Sequence, residues 1–340
     1  MAGMEEIHVV ITVPFEAHLL ELLKAVSPLL RIHLQPARDA AELGPELLAE
    51  AQVLYTLDTL PQPEQMPNLD WIQFHLAGID HAIGHPLLRA AQKITTMSGV
   101  AAPQMGEFVL MCILALAHHL PLMMQDKTAK RWAEKRFKRF EPLEVAGSTV
   151  GIVGYGSIGR EVARLCRAFG ASVLAVKRNL KNLEDTGYMP EGMGDPQAEL
   201  PDRLYPAQAI ASMAALCDFL VVTVPLTAET RGMVNERVFK AMKPSAYLID
   251  VSRGGIVDHG ALVAALRDER LAGAALDVYP LEPLPTSSPL WDLPNVILSP
   301  HIAGASPRYM ERAAHLFAIN LERYLAGAPL LNLYDPELGY

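Results

Sequence analysis

Apolar residues recur along this chain with two alternating periods. The short runs Ile7–Val13, Val53–Leu57 and Trp71–His75 read as strands, whereas Ala17–Leu30 and Glu42–Glu50 space their apolar positions for one helical face. Strands alternating with helices imply a parallel sheet covered on both faces. Pro103 stands where proline suits a first helical turn, and the apolar stretch that follows to His119 predicts a helix and a domain boundary. A second, stronger alternation begins at Thr149. It comprises a strand Val150–Val153, a glycine turn, a helix to Phe169 stopped by Gly170, and a strand Val173–Val176. Further strands are expected at Phe219–Val224, Ala246–Val251, Ala272–Leu276 and Asn295–Leu298, then one helix over Arg308–Leu325. No fixed-period repeat points to a solenoid.

Residues 179–206 break the pattern with Gly187, Pro190, Gly192, Gly194, Pro196, Pro201 and Pro206. That is long for a connection inside a doubly wound sheet. It reads either as a surface insertion or as a flap over the adenosine end of a cofactor.

At 340 residues the chain exceeds one comfortable hydrophobic core, so two domains are expected. A net charge of -9 argues against nucleic acid, whose phosphates reward a basic face. The one basic run, Lys127 to Arg139, reads as a solvated helix or arm. Cys112, Cys166 and Cys217 are far apart and lack metal-ligand spacing, so they read as reduced thiols of a cytoplasmic protein, with no metal site. Residues 1–15 lack a signal peptide's basic start and long apolar stretch. The longest apolar run, Phe108 to Ala117, is about half of a bilayer span, and no membrane partner is expected.

Gly154-Tyr155-Gly156-Ser157-Ile158-Gly159 places a G-x-G-x-x-G between an expected strand and an expected helix, the setting this motif requires. Gly154 permits the tight turn, Gly156 leaves room for a pyrophosphate, and Gly159 lets helix and strand pack closely. The phosphates then rest on amides at a helix N-terminus. The next strand runs into Lys177-Arg178, with no carboxylate at the position that would bind the ribose of NAD. Two cations there favour the 2′-phosphate of NADP, with NAD held through backbone contacts as the alternative.

Three more segments end expected strands, on the sheet edge where α/β proteins gather ligands. Asp250-Val251-Ser252-Arg253-Gly254-Gly255 carries an arginine, Asp277 leads to Glu282-Pro283, and Ser299-Pro300-His301 carries a histidine. Such a set suits keto-acid reduction. Arginine's planar fork grips a carboxylate and polarises the adjacent carbonyl, histidine supplies a proton, and a carboxylate holds the imidazole.

Taken together these motifs resemble the D-isomer-specific 2-hydroxyacid dehydrogenase family, glyoxylate/hydroxypyruvate reductase-like, over nearly the whole chain. The resemblance extends to Val224-Pro225-Leu226-Thr227 with Thr230, and to the Trp132 region. It implies an α/β fold of two doubly wound parallel-sheet domains. One is a Rossmann cofactor domain over 103–307, the other a flavodoxin-like substrate domain built from 1–102 plus 308–340, with hinge closure excluding water. It implies Arg253 as substrate-orienting arginine, Glu282 as histidine partner and His301 as acid/base. Asp277 would contact the nicotinamide carboxamide and Ser157 and Ile158 the pyrophosphate. Val224, Pro225, Thr230, Val251, Ser252 and Gly304 would line the cofactor pocket, and the amides of Leu76-Ala77-Gly78 would hold the substrate carboxylate. The expected activity is NAD(P)-dependent, D-specific hydride transfer between cofactor and a small 2-keto/2-hydroxy acid, in a homodimer formed through the apolar helix 104–119.

The sequence departs from that family at Tyr155, at Lys177 and in the 179–206 insertion, while Ala303 disfavours formate. Two alternative readings share the fold, a nucleotide-sensing regulator of corepressor type and a phosphite- or formate-type oxidiser.

Overall fold

The computed structural model describes residues 6–336 and 338–339. They form two compact units. The first comprises the described residues up to Ala101, Thr186–Pro190, and those from Ser306 onward; the second comprises Ala102–Asp185 and Glu191–Ala305.

In the first unit, β1 (Ile7–Ile11), α1 (Ala17–Lys24), β2 (Leu30–Leu34), α2 (Pro45–Glu50), β3 (Val53–Thr56), β4 (Trp71–Phe74), α3 (Pro86–Ala90) and β5 (Lys93–Thr95) precede the long helix Tyr309–Leu325. All five strands are parallel, in the order β2-β1-β3-β4-β5, which is the flavodoxin-like winding. Both sheet faces are covered, so successive residues of one strand serve different cores. Val9, Ile11, Tyr55 and Trp71 pack with Phe317 and Leu321 of the long helix. Val10, Leu54, Ile72 and Phe74 pack with Leu48 and Leu87 on the other side.

The helix expected over Ala17–Leu30 stops at Lys24, and its last residue instead opens the edge strand β2. The residue before a proline avoids the helical region, and Ser27 precedes Pro28 while its hydroxyl accepts from the Leu29 amide. The helix expected over Glu42–Glu50 breaks in the same way at Gly44-Pro45, leaving a single 3₁₀ turn Ala40–Glu42 before α2.

The second unit contains α4 (Ala102–Ala117), α5 (Leu120–Thr128), α6 (Arg136–Arg139), β6 (Thr149–Val153), α7 (Ser157–Ala168), β7 (Ser172–Val176), β8 (Arg203–Tyr205), α8 (Ile210–Ala214), β9 (Phe219–Val222), α9 (Glu236–Ala241), β10 (Tyr247–Asp250), α10 (His259–Arg267), β11 (Gly273–Leu276) and β12 (Val296–Leu298). Its seven parallel strands run β12-β11-β10-β9-β6-β7-β8. Strand order therefore reverses between β6 and β9, a topological switch point of Rossmann type. Two arginines of the basic run turn back on buried Asp126. Arg139 Nε donates to Asp126 Oδ2 at 2.9 Å and Arg131 Nε to Oδ1 at 2.8 Å. All three cysteines are free and buried.

The 179–206 insertion is pinned to α7. Arg160, only 1% exposed, donates to the carbonyl oxygens of Asp195 and Leu183 and lies 3.2 Å from Asp185 Oδ2. The Tyr155 hydroxyl donates to the Asp195 carboxylate, and Glu161 Oε2 accepts from the Gly194 amide at 2.8 Å. Arg167 Nε reaches the Leu200 carbonyl at 2.8 Å, after which β8 joins the sheet. The tip, Thr186–Pro190, belongs to the first unit, where Tyr188 packs on the core and its amide donates to Asn332 Oδ1 at 3.0 Å.

Removing a buried charge from partners that stay buried costs about 3–5 kcal/mol. Arg160→Met is therefore expected to lower stability by several kcal/mol, and hydrogen exchange should accelerate first across residues 183–200. Unchanged protection there would contradict the pinning.

Candidate active site

The glycine turn after β6 is shaped by contact. Gly154 has φ +105°, and a Cβ on Gly159 would lie 2.1 Å from the Gly154 carbonyl oxygen, so helix and strand meet backbone to backbone. At Gly156, by contrast, an added Cβ would meet nothing within 4 Å, and no side chain caps α7 there. Open space before an uncapped helix N-terminus that begins with Ser157 and Ile158 fits a dinucleotide pyrophosphate. Lys177 and Arg178 follow β7. Burial first, then the charge of Arg160, hold the Lys177 ammonium below its ordinary pKa. Asp185 opposes that shift, so Lys177 lies within electrostatic reach of the insertion.

On the other side of the switch point, the chain from Pro225 to Thr230 forms one turn, with Val224 just before it. The Thr230 hydroxyl donates to the Pro225 carbonyl at 2.6 Å and accepts from the Thr227 amide at 2.8 Å. The hydroxyl of Thr230 is thus used to shape the turn.

The three proposed reaction groups all lie in the second unit. His301 Nδ1 is 2.8 Å from Glu282 Oε2, and the other oxygen of Glu282 accepts from the Tyr279 amide at 2.9 Å. Burial pushes the Glu282 pKa up. The hydrogen bonds from His301 and Tyr279, with the charges of His301 and Arg253, outweigh it and hold the carboxyl below its ordinary value. An ionised Glu282 fixes the imidazole with Nδ1 as donor, leaving Nε2 for proton exchange. Arg253 Nη1 donates to the Ser252 carbonyl at 2.9 Å. The next residue lets its segment reach that of Glu282, because a Cβ on Gly254 would fall 1.9 Å from the Tyr279 carbonyl oxygen.

Asp277, 1% exposed, does more than its strand-end position suggested. Its Oδ1 accepts from Ser299 Oγ at 2.7 Å and the Ile302 amide at 2.8 Å, and its Oδ2 accepts from the Ala303 amide at 2.9 Å. These bonds hold His301 in a left-handed conformation, φ +56°. Gly304 is anchored separately, its carbonyl accepting from Gln104 Nε2 at 2.6 Å.

In the first unit, Leu76, Ala77 and Gly78 follow β4. Their three amides donate to no acceptor among the described residues, and Leu76 and Ala77 are exposed. Consecutive amides presented in this way suit an anion.

Two contributors escaped the sequence reading. Tyr279 holds Glu282 through its amide, a role no side chain advertises. Asp250, at the end of β10, accepts from the Ser252 amide at 3.0 Å and from its hydroxyl, shaping the turn that carries Val251, Ser252 and Arg253. The Asp-x-Ser spacing was the available signal.

The sequence profile described as "D-isomer specific 2-hydroxyacid dehydrogenase, NAD binding domain" matches residues 110–303. The chain is 33% identical over 280 residues to the glyoxylate reductase of Thermococcus gammatolerans, covering 81% of this chain and 79% of that protein. It is likewise 33% identical over 300 residues to the glyoxylate reductase of Aeropyrum pernix, covering 85% and 84%. Among solved structures it resembles a D-isomer specific 2-hydroxyacid dehydrogenase of Xanthobacter autotrophicus Py2 in complex with NADPH and MES. The TM-score is 0.81 at 29% identity, with 98% of this chain and all of that one covered. The NADPH-dependent glyoxylate/hydroxypyruvate reductase of Sinorhizobium meliloti, in complex with NADP and sulfate, superposes with a TM-score of 0.77 at 26% identity, covering 98% and 99%.

Asp250 yields a stability test. Fully buried, with Oδ2 unpartnered among the described residues and Asp277 nearby, its carboxyl is pushed up to about 7 by burial despite the Ser252 bonds. The native state then binds this proton more tightly than the unfolded chain. Its stabilising effect is complete at low pH and is lost as pH rises from about 4 to 7, amounting to ~4 kcal/mol. Asp250→Asn keeps one acceptor and cannot ionise. In melting experiments the variant should exceed wild type at pH 8, with the gap closing towards pH 5; a pH-independent difference would refute this.

Proposed function

The chain belongs to the D-isomer specific 2-hydroxyacid dehydrogenase family and is an NAD(P)-dependent oxidoreductase; from that premise we propose that it reduces a small 2-keto acid, glyoxylate or hydroxypyruvate, with NADPH preferred over NADH. The observation that carries the reading is the His301–Glu282 pair at 2.8 Å, with Arg253 on the neighbouring strand-end segment. The regulator and phosphite- or formate-oxidiser readings are not favoured by the relatives found.

Arg253 grips the keto acid and polarises its carbonyl. The amides of Leu76, Ala77 and Gly78 serve as the carboxylate-binding loop of the first unit. The bound reduced nicotinamide supplies the hydride. His301, oriented by ionised Glu282, gives the Nε2 proton to the carbonyl oxygen as negative charge develops there. In oxidation His301 takes that proton back. Gly154, Gly156, Ser157, Ile158 and Gly159 hold the pyrophosphate, and Lys177 and Arg178 the 2′-phosphate. Val224, Pro225, Thr230, Val251 and Ser252 would line the remaining cofactor pocket with Gly304, and Asp277 would contact the nicotinamide carboxamide. Residues 103–307 act as the cofactor domain, and 1–102 with 308–340 as the substrate domain.

The protein is proposed to work as a cytoplasmic homodimer, without nucleic-acid or membrane partners. No single helix among the described residues is long and apolar enough to cross a membrane. The dimer surface is assigned to α4 and the segment after it, where Met111, Leu120, Met123, Met124, Trp132 and Phe137 are exposed.

A panel of keto acids assayed separately with NADH and NADPH tests the activity, and inertness towards all 2-keto acids would reject it. His301→Ala should reduce keto-acid turnover ~10²–10⁴-fold with cofactor affinity nearly intact. Wild-type turnover would remove His301 from the mechanism. Lys177→Asp combined with Arg178→Ala should move preference from NADPH towards NADH by about tenfold or more, acting on cofactor KM. Raised salt should weaken NADPH binding more than NADH binding. Equal affinity of the wild-type protein for both cofactors would leave these residues as surface cations.

A further inference from the structure

One buried polar cluster of the first unit has no part in the proton and hydride chemistry. His75, the residue between β4 and the Leu76–Gly78 loop, is 9% exposed and sits against two tyrosines. Tyr55 of β3, fully buried, lies with its hydroxyl 2.6 Å from His75 Nδ1. Tyr309, first residue of the long helix, donates its hydroxyl to the His75 carbonyl at 2.7 Å. The His75 amide donates to the Thr56 carbonyl at 2.7 Å. The rings pack closely, with centroids 5.6 Å apart for Tyr55–His75 and 5.3 Å for His75–Tyr309. Burial brings the His75 pKa down to about 4, so the ring is neutral while its Nδ1 shares a hydrogen bond with the Tyr55 hydroxyl.

The peptide plane makes this cluster consequential. A carbonyl and the following N–H belong to one rigid unit and point in opposite directions. The Tyr309 hydroxyl, by fixing the His75 carbonyl, fixes the direction of the Leu76 N–H. The Met97 amide, 3.1 Å from the Leu76 carbonyl, does the same for the Ala77 N–H. Two of the three unpaired loop amides are therefore aimed from behind, although the loop itself is exposed.

We propose that Tyr55, His75 and Tyr309 are positioning residues for substrate binding, holding the Leu76–Gly78 amides in the direction that receives the keto acid's carboxylate. This rests on the reading of that loop as a carboxylate site. The neutral His75 ring acts as a spacer wedged between the tyrosines, and Tyr309 delivers the orienting bond.

Tyr309→Phe removes that bond and keeps the ring packing. Losing one orienting hydrogen bond is expected to raise KM for the keto acid about fivefold to tenfold. At saturating substrate, kcat should stay within about twofold, because His301, Glu282 and Arg253 are untouched, and NADPH affinity should not move. A fall in melting temperature with unchanged KM would show a purely structural tyrosine and overturn the proposal. Ala77→Pro, which deletes one loop amide, separates the two ideas. If it raises KM and Tyr309→Phe does not, the loop binds carboxylate without help from Tyr309 and the positioning role fails alone. If Ala77→Pro leaves KM unchanged, the loop reading fails and the proposal with it. Both variants should be measured with glyoxylate and NADPH, alongside thermal melts.

Discussion

The Asp277 carboxylate, buried just after β11, is the contact on which the geometry of the proposed site depends. Its two oxygens collect a hydroxyl and two amides from the loop after β12, and that loop carries His301 in a left-handed conformation. A β-carbon in that region is strained, so the conformation persists only where surrounding bonds over-determine it. Those bonds come from the Ser299 hydroxyl and the Ile302 and Ala303 amides. Held in this way, His301 meets Glu282 at 2.8 Å, and Glu282 is itself fixed by the Tyr279 amide. The His301–Glu282 pair is thus set by main-chain hydrogen bonds on either side, which leaves both side chains partly exposed.

The same economy appears at the arginine. Asp250 shapes the turn after β10 through Ser252, and Gly254 lets that turn approach the Tyr279 backbone. Asp250 ends β10 in register with Val222 and Leu276, and Asp277 directly follows Leu276 on the neighbouring strand. Two buried acids beside each other raise the cost of ionising both. The segments that carry Arg253 and His301 are in this way structured by buried carboxylates.

The insertion joins two departures from the family pattern into one feature. Tyr155 stands within the glycine turn, and its hydroxyl meets Asp195 inside the insertion. Arg160 stacks its guanidinium 5.0 Å from the Tyr155 ring centroid and binds the main chain at Leu183 and Asp195. Polar pins replace the apolar core that a stretch so rich in glycine and proline cannot build.

Patterns local in sequence were legible without the tertiary structure. The glycine turn between β6 and α7, the strand-end positions of Arg253, Asp277 and His301, and the parallel α/β class all follow from residues within one element of each other, where periodicity and turn chemistry act directly. The edge strands β2, β5 and β8 were not legible: all are partly polar, β5 and β8 run only three residues, and pairing with β1, β4 and β7 makes them strands. Arg160 is buried through a bond to Asp195, 35 residues on. The Tyr309 hydroxyl and the His75 carbonyl are 234 residues apart. Such contacts have no local signature, since a hydrogen bond depends on which atoms folding brings within about 3 Å, not on which residues are neighbours in the chain.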